Sequence, residues 1–288
     1  MAAIVAEHNV NGDAVSSADD SAFNDCFVLF FDFLGTSAAT SAWPRERLYE
    51  FVDLLISIAH MQSALEIDGE SQADGSYRIR LTPEITTFSD HIVVSYPSLP
   101  AEVYGEFYTA ALDHLWSGIV LKDSLRILSD VAELALRIGL LIRGGLAFGQ
   151  LFHGQGVVFG KAMVDAHELE STVANYPRVV VADDIIEKVT RTNPENAHFF
   201  LRDTDGKWHL DYFAGMVRDA RQHGSDITLW RGTHTARIDQ EIERLRQDGS
   251  NSAALRAAEK WEWFRRQFEA AAADVHGAEF TESGSPVG

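Results

Sequence analysis

Phe27-Val28-Leu29-Phe30-Phe31-Asp32-Phe33 sets a single carboxylate near the end of an otherwise apolar, aromatic-rich run, and Leu34-Gly35-Thr36-Ser37 follows it. A run of this length without polar alternation predicts a strand buried on both faces, and therefore one inside a sheet rather than at its edge. Downstream, Pro44 opens a helix on which Leu48, Phe51, Val52, Leu55, Ile56 and Ala59 recur at helical spacing. Tyr77–Thr87 alternates apolar and polar residues, and Ile92–Tyr96 follows across Ser89-Asp90-His91, which predicts a hairpin with an acidic tip.

The rest of the chain extends this pattern. Residues 101–116 and 123–139 read as helices, Leu140–Gly149 as a strand, Gln155–Phe159 as a short strand and Lys161–Ala174 as an amphipathic helix. Arg178–Ala182 reads as a strand, and Phe199–Arg202 with Trp208–Phe213 bracket the turn signal Asp205-Gly206. From about residue 234 the chain is helical, with a polar break at Asp248–Ser252 and an apolar face of Trp261, Phe264 and Phe268. The order predicts an α/β (α+β sandwich) fold, a mixed central sheet flanked by helices, with extra C-terminal helices. The expected division is a disordered tail over 1–21, a principal domain over 22–215, a helical extension over 216–274 and a second disordered tail over 275–288.

Composition narrows the function. Asp and Glu number 43 against 24 Lys and Arg, a formal charge of −19. A duplex nucleic-acid binder needs a basic footprint to release counterions, so nucleic acid is not the expected partner. A single cysteine, Cys26, leaves neither a disulfide framework nor a cysteine-rich zinc site. Membrane-spanning runs and a secretory leader are not expected, which makes the cytoplasm the default location.

Two carboxylates stand out. Asp32, among phenylalanines, needs a metal, a basic partner or a helix to cap. Asp90 suits a hairpin tip on turn geometry alone. If the hairpin lies beside the first strand, both acids reach one sheet end and form a hard oxygen site for Mg²⁺ or Mn²⁺. The turn Phe33-Leu34-Gly35-Thr36 is either an ordinary strand-to-helix connection or a cradle of backbone N–H groups for phosphate. Arg143, within an apolar strand and followed by two glycines, requires an anion, either a carboxylate of the chain or a ligand phosphate.

Phe30-Phe31-Asp32-Phe33-Leu34-Gly35-Thr36 resembles the first metal-binding segment of class III nucleotidyl cyclases, and Thr86-Thr87-Phe88-Ser89-Asp90 is similar to the hairpin that carries their second metal aspartate. Arg143-Gly144-Gly145-Leu146-Ala147-Phe148-Gly149, followed by Gly160-Lys161-Ala162, Ala166 and Leu169-Glu170-Ser171, resembles their late strand, hairpin and dimer-facing helix. The resemblance runs in order over residues 26–182. It implies a ferredoxin-like class III cyclase fold, two Mn²⁺ or Mg²⁺ ions at a metal site of Asp32, Phe33 and Asp90, and a homodimer with active sites at the interface.

Where the family's adenylyl cyclases place a base-reading lysine, this chain has Thr86; their second base-reading acid falls on Val157, and the late-helix asparagine and arginine fall on Val164 and Glu168. With adenine recognition absent, the closest likeness is to the pyrimidine cyclases of bacterial Pycsar antiphage systems. That likeness implies cyclisation of UTP, or of CTP, to a cyclic monophosphate read by a separate effector. Asp32, Asp90 and Arg143 would be catalytic, and Phe33, Leu34, Gly35, Thr36, Tyr49, Thr86 and Lys161 would contact substrate. Tyr49 reads equally as a core aromatic and Lys161 as a solvated lysine. A catalytically inactive cyclase-like module and a metal-dependent phosphohydrolase are the rival readings.

Overall fold

The computed structural model describes residues 4–7, 23–61, 65–71, 75–98, 110–247 and 251–273; for 4–7, 37–39, 65–71, 75–81, 110–114 and 192 the backbone alone is described. The first strands are β1 (Ile4–Glu7), β2 (Asn24–Leu34), β3 (Leu65–Ser71), β4 (Gly75–Leu81), β5 (Glu84–Phe88) and β6 (His91–Pro97). The later strands are β7 (Leu141–Gly154), β8 (Val157–Phe159), β9 (Val179–Val181), β10 (Phe200–Arg202) and β11 (Trp208–Leu210). The helices before and within them are α1 (Thr36–Ala42), α2 (Arg45–Ala59), α3 (Ala110–Arg137), α4 (Lys161–Glu168) and α5 (Asp183–Thr192). Beyond the sheet follow α6 (Tyr212–Gln222), α7 (Ile227–Gln247) and α8 (Ser252–Ala273).

The main sheet runs β10-β11-β9-β7-β2-β6-β5, with β8 paired to β7. It is mixed: β7 and β9 are parallel, whereas β2 is antiparallel to both β6 and β7. The apolar run at 27–33 therefore lies in an interior strand, as its composition dictates, and every residue from Cys26 to Phe33 is buried. A smaller sheet of order β1-β4-β3 sits apart from this path.

Strand alternation gives β2 two faces. Val28 and Phe30 meet Val93 and Ala147 beneath Ala162 and Ala166 of α4. The opposite face carries Phe33, whose ring stands 5.3 Å from that of Phe51 on α2. Tyr96, level with Phe27, donates a 2.8 Å hydrogen bond to Asp123 on α3. The glycine pair after Arg143 explains the tight layering: a Cβ on Gly145 would stand 2.2 Å from the Ala166 carbonyl oxygen, and one on Gly144 would stand 2.4 Å from that of Phe30.

Several expectations are corrected. Tyr77–Thr87 is not one strand. The chain leaves β4 at Thr82-Pro83, where proline cannot donate to a ladder, and re-enters a different sheet as β5. The two helices expected around 101–116 and 123–139 are replaced by the single α3, unbroken at Ser117-Gly118 because Ser117, Val120, Leu121 and Ser124 line one buried face; residues 101–109 lie outside the described residues. Trp208–Phe213 is strand only to Leu210, and α6 begins at Tyr212. Ile4–Glu7, expected in a disordered tail, pairs with β4; the remainder of 1–21 and the segment 275–288 lie outside the described residues.

By its internal contacts the chain divides into Met1–Tyr212 and Phe213–Gly288. In the second unit Phe213, Trp230, Trp261, Phe264 and Phe268 are buried, and the expected aromatic face of α8 is its core. Among the described residues no helix is long and apolar enough to cross a membrane.

Candidate active site

The registers of β2 build the site. Asp32 stands directly opposite His91 of β6 on one side and Arg143 of β7 on the other. Directly opposed residues project to the same face, so the three side chains share it. Asp90 precedes His91 at the hairpin tip, where Ser89 adopts a φ of 58°. The two acids thus sit at one end of adjacent strands although they are 58 positions apart in the chain.

Arg143 grips Asp32 with two prongs, Nε donating to Oδ1 at 3.1 Å and Nη2 to Oδ2 at 3.2 Å. The same Nη2 lies 2.6 Å from Oε1 of Glu170, which is 2% exposed. Glu170 belongs to a π-type turn, Leu169–Val173, that continues α4. Such turns are uncommon and recur at functional sites. Burial disfavours charge on Arg143, but its hydrogen bond to Asp32 and the charges of Asp32, Glu170 and Asp90 hold its guanidinium above the usual range.

Asp90 is organised by the turn after β2. The Thr36 hydroxyl donates to its Oδ2, Ser89 donates to Oδ1 at 3.0 Å, and Nδ1 of His91 lies 3.2 Å from Oδ1. Burial pushes the Asp90 carboxyl up, yet the Thr36 hydroxyl and its other donors hold it below the ordinary value. Gly35, with φ of 94°, turns the chain between β2 and Thr36. Thr36 is buried, with its hydroxyl also 3.4 Å from the Phe33 carbonyl oxygen. The Phe33 side chain points into the core.

Three carboxylates therefore surround one guanidinium among the described residues. The imbalance registers on Glu170, whose carboxyl is pushed up to about 7 by burial first and by Asp32 next, despite Arg143 beside it. Asp90 pushes in the same direction. An excess of hard, partly buried oxygens is the donor set that Mg²⁺ or Mn²⁺ takes, so the residues fit a divalent ion. Among the described residues no trio of His, Cys, Asp or Glu is already gathered as a cage; the Asp32 carboxylate is held by Arg143.

The remaining expected contacts fall in different places. The Thr86 hydroxyl is 2.8 Å from Nε2 of His153, whose Nδ1 is 2.7 Å from Ser95 Oγ. Thr86 is thus already engaged within the chain rather than open to a base edge. Tyr49 is 57% exposed on α2 with the Arg45 guanidinium over its ring, so it is not the core aromatic that the sequence also allowed. Lys161 pairs with Asp165 one turn along α4. Val157, Val164 and Glu168 are exposed. Phe30, Phe88 and His91 stack beside the site, and His167 meets Phe30 edge-on at 5.2 Å.

Sequence reasoning gave Glu170 no role. Its signal was indirect: a part-buried arginine in an apolar strand, followed by two glycines, calls for anions to offset its burial, and an acid on the apolar side of a helix end is one source. Arg178, fully buried and held by Asp203 and Asp205, is a second charged cluster that sequence alone did not flag. No protein-family model matches the chain, and no curated protein is significantly similar to it.

Proposed function

We propose that the chain is a pyrimidine nucleotide cyclase that converts UTP, or CTP, to the 3′,5′-cyclic monophosphate and pyrophosphate. The observation that carries this reading is the meeting of Asp32 and Asp90 at one end of the sheet, both acting on Arg143 and Glu170. Further support comes from topology. Apart from β3 and β4, which intervene between α2 and β5, the path β2, α2, β5, β6, α3, β7 with spatial order β5-β6-β2-β7 is consistent with the split βαβ arrangement that the class III cyclase likeness implies.

In the reaction the ribose 3′-oxygen bonds to the α-phosphorus, the bond from that phosphorus to the bridging oxygen breaks, and pyrophosphate leaves. Divalent ions, when bound, would lower the cost of ionising the 3′-hydroxyl and would neutralise charge on the phosphates. Asp32 and Asp90 would hold them, with Phe33 contributing its carbonyl oxygen. Thr36 keeps Asp90 ionised and aimed through its hydroxyl. The Phe33–Thr36 turn would present backbone N–H groups to phosphate oxygens. Arg143 supplies the positive charge that a departing pyrophosphate needs, a preorganised contribution of the kind that dominates phosphoryl transfer.

Base choice rests on the absence of the adenine readers, since Thr86 and Val157 stand at their positions. The exposure of Val157, Val164 and Glu168 suits residues that would face a second subunit in a head-to-tail homodimer. A role for the product as a defence signal read by a separate effector follows from the Pycsar likeness alone.

Incubation of the full chain with Mn²⁺ and each of the four nucleoside triphosphates, with products identified by mass, tests the reading. A cyclic pyrimidine monophosphate is expected. Cyclic AMP as the main product would overturn the base assignment. Orthophosphate or a linear monophosphate would replace cyclisation by hydrolysis, and nucleotide binding without turnover would leave an inactive binding module.

A further inference from the structure

Arg143 has two anionic partners, and they differ in what each can give up. Its Nη2 is 2.6 Å from Glu170 Oε1, closer than its contacts of 3.1 and 3.2 Å with Asp32. Glu170 is the more deeply buried acid, 2% exposed against 7% for Asp32, so it has less access to any cation other than Arg143. Its turn is also pinned: a Cβ on Gly145 would stand 2.7 Å from Leu169 Cβ, which shows how tightly the residue before Glu170 lies on the sheet. Asp32 instead lies on the last rung of the β2–β6 ladder, opposite the residue that follows Asp90. Nη2 faces both acids and Nε faces Asp32 alone, and with five N–H donors in its planar fork the guanidinium can keep its ion pair with Glu170 while its hydrogen bonds to Asp32 are released.

Charge points the same way. Three carboxylates face one guanidinium, and a divalent cation would offset the negative charge that Arg143 leaves uncompensated. We propose that Glu170 is a positioning residue that keeps Arg143 in the site when Arg143 yields Asp32 to a divalent cation. Arg143 thus occupies Asp32 at rest, competes with the ion for it, and on release stays anchored and free to face a phosphate. This rests on the reading of Asp32 as a metal carboxylate.

The test is binding of Mn²⁺ to the full chain without nucleotide, read from the free-ion electron paramagnetic resonance signal, with folding of each variant checked by circular dichroism. Arg143→Gln removes the competitor and is expected to tighten binding about tenfold, and Glu170→Gln, which leaves Arg143 no second anchor, to weaken it by a similar factor. In the double variant the Glu170 substitution is expected to change affinity by no more than about twofold, because its effect runs through Arg143. A Glu170→Gln loss that persists at full size in the double variant would show that Glu170 acts on the ion directly and would overturn the inference, as would Arg143→Gln with unchanged or weaker binding. If Arg143→Gln does not fold, Arg143→Lys is read in its place: it keeps the charge but loses the fork, so tighter binding than wild type supports the proposal and equal or weaker binding overturns it. Asp32→Asn separates the two levels. Its loss of Mn²⁺ binding is expected, and unchanged binding would sink the metal site itself rather than the role of Glu170 alone.

Discussion

Thr36 shows how much of the site depends on single hydroxyl groups. Its Oγ1 is the donor that most opposes the effect of burial on Asp90. Thr36→Val keeps the shape and removes the donor. It is expected to slow cyclisation about tenfold at neutral pH, the worth of one hydrogen bond to a charged group, and to move the acid limb of the pH–rate profile upward. Thr36→Ser should restore both, and an unchanged profile in Thr36→Val would show that Asp90 is tuned by something else. His153 makes a second residue-level case. Burial drives its pKa from 6.5 to about 4, while its ring nitrogens sit against Thr86 and Ser95. A depressed folded-state value means that the unfolded chain binds the proton more readily between these limits. Its contribution is therefore complete above about 6.5 and is lost as pH falls through about 4. Denaturant unfolding of wild type should show stability falling over that window, with up to about 1.4 kcal/mol per pH unit from this residue, and His153→Gln should flatten that part of the slope.

At the scale of elements, the contact between α4 and β7 decides whether Glu170 meets Arg143, whereas the β2–β7 ladder brings Asp32 to it. Gly145 permits the α4–β7 contact, since any Cβ there would strike the Ala166 carbonyl oxygen. Gly145→Ala is expected to cost about 2 kcal/mol or more from overpacking and to lower Tm by several degrees in a thermal melt. It should also separate Glu170 from Arg143, and a melt unchanged from wild type would contradict the layering. Elements were legible in the sequence where hydrophobic pattern alone fixed them. The uninterrupted aromatics of β2 could only be interior, and the Ser89-Asp90-His91 turn could only join antiparallel neighbours. Tertiary context fixed the rest. The continuity of α3 through Ser117-Gly118 depends on what lies beneath it, where Asn196 Oδ1 would stand 3.6 Å from a Cβ on Gly118. The π-type turn that buries Glu170 has no periodicity of its own to read. Asp32 and Arg143 were marked by the physical cost of charge in apolar strands, and Asp90 by its place at a hairpin tip that could lie beside Asp32. Glu170 was not, because on a short helix its burial depends on a sheet that the local sequence does not reveal.

Over the whole molecule, the net charge disfavours a polyanion as ligand and leaves the proposed small phosphorylated substrate to be bound by local features. A chain of formal charge −19 repels nucleic acid, so a phosphorylated ligand must be drawn in locally by cations and backbone donors. Under the proposed function, the guanidinium of Arg143 and the N–H groups of the Phe33–Thr36 turn, with divalent ions held by the carboxylates, would meet that condition. Electrostatic surplus at the site and deficit of base-reading residues around it are separate features, and the proposed catalysis rests on the first. The most direct test of the account is the rate of cyclic pyrimidine monophosphate formation with Mn²⁺ by wild type, Asp32→Asn and Asp90→Asn, each confirmed as folded. Each substitution is expected to lower the rate by at least about a thousandfold, because either carboxylate alone leaves the two ions without their shared anchor. Turnover at the wild-type rate in either variant would contradict it.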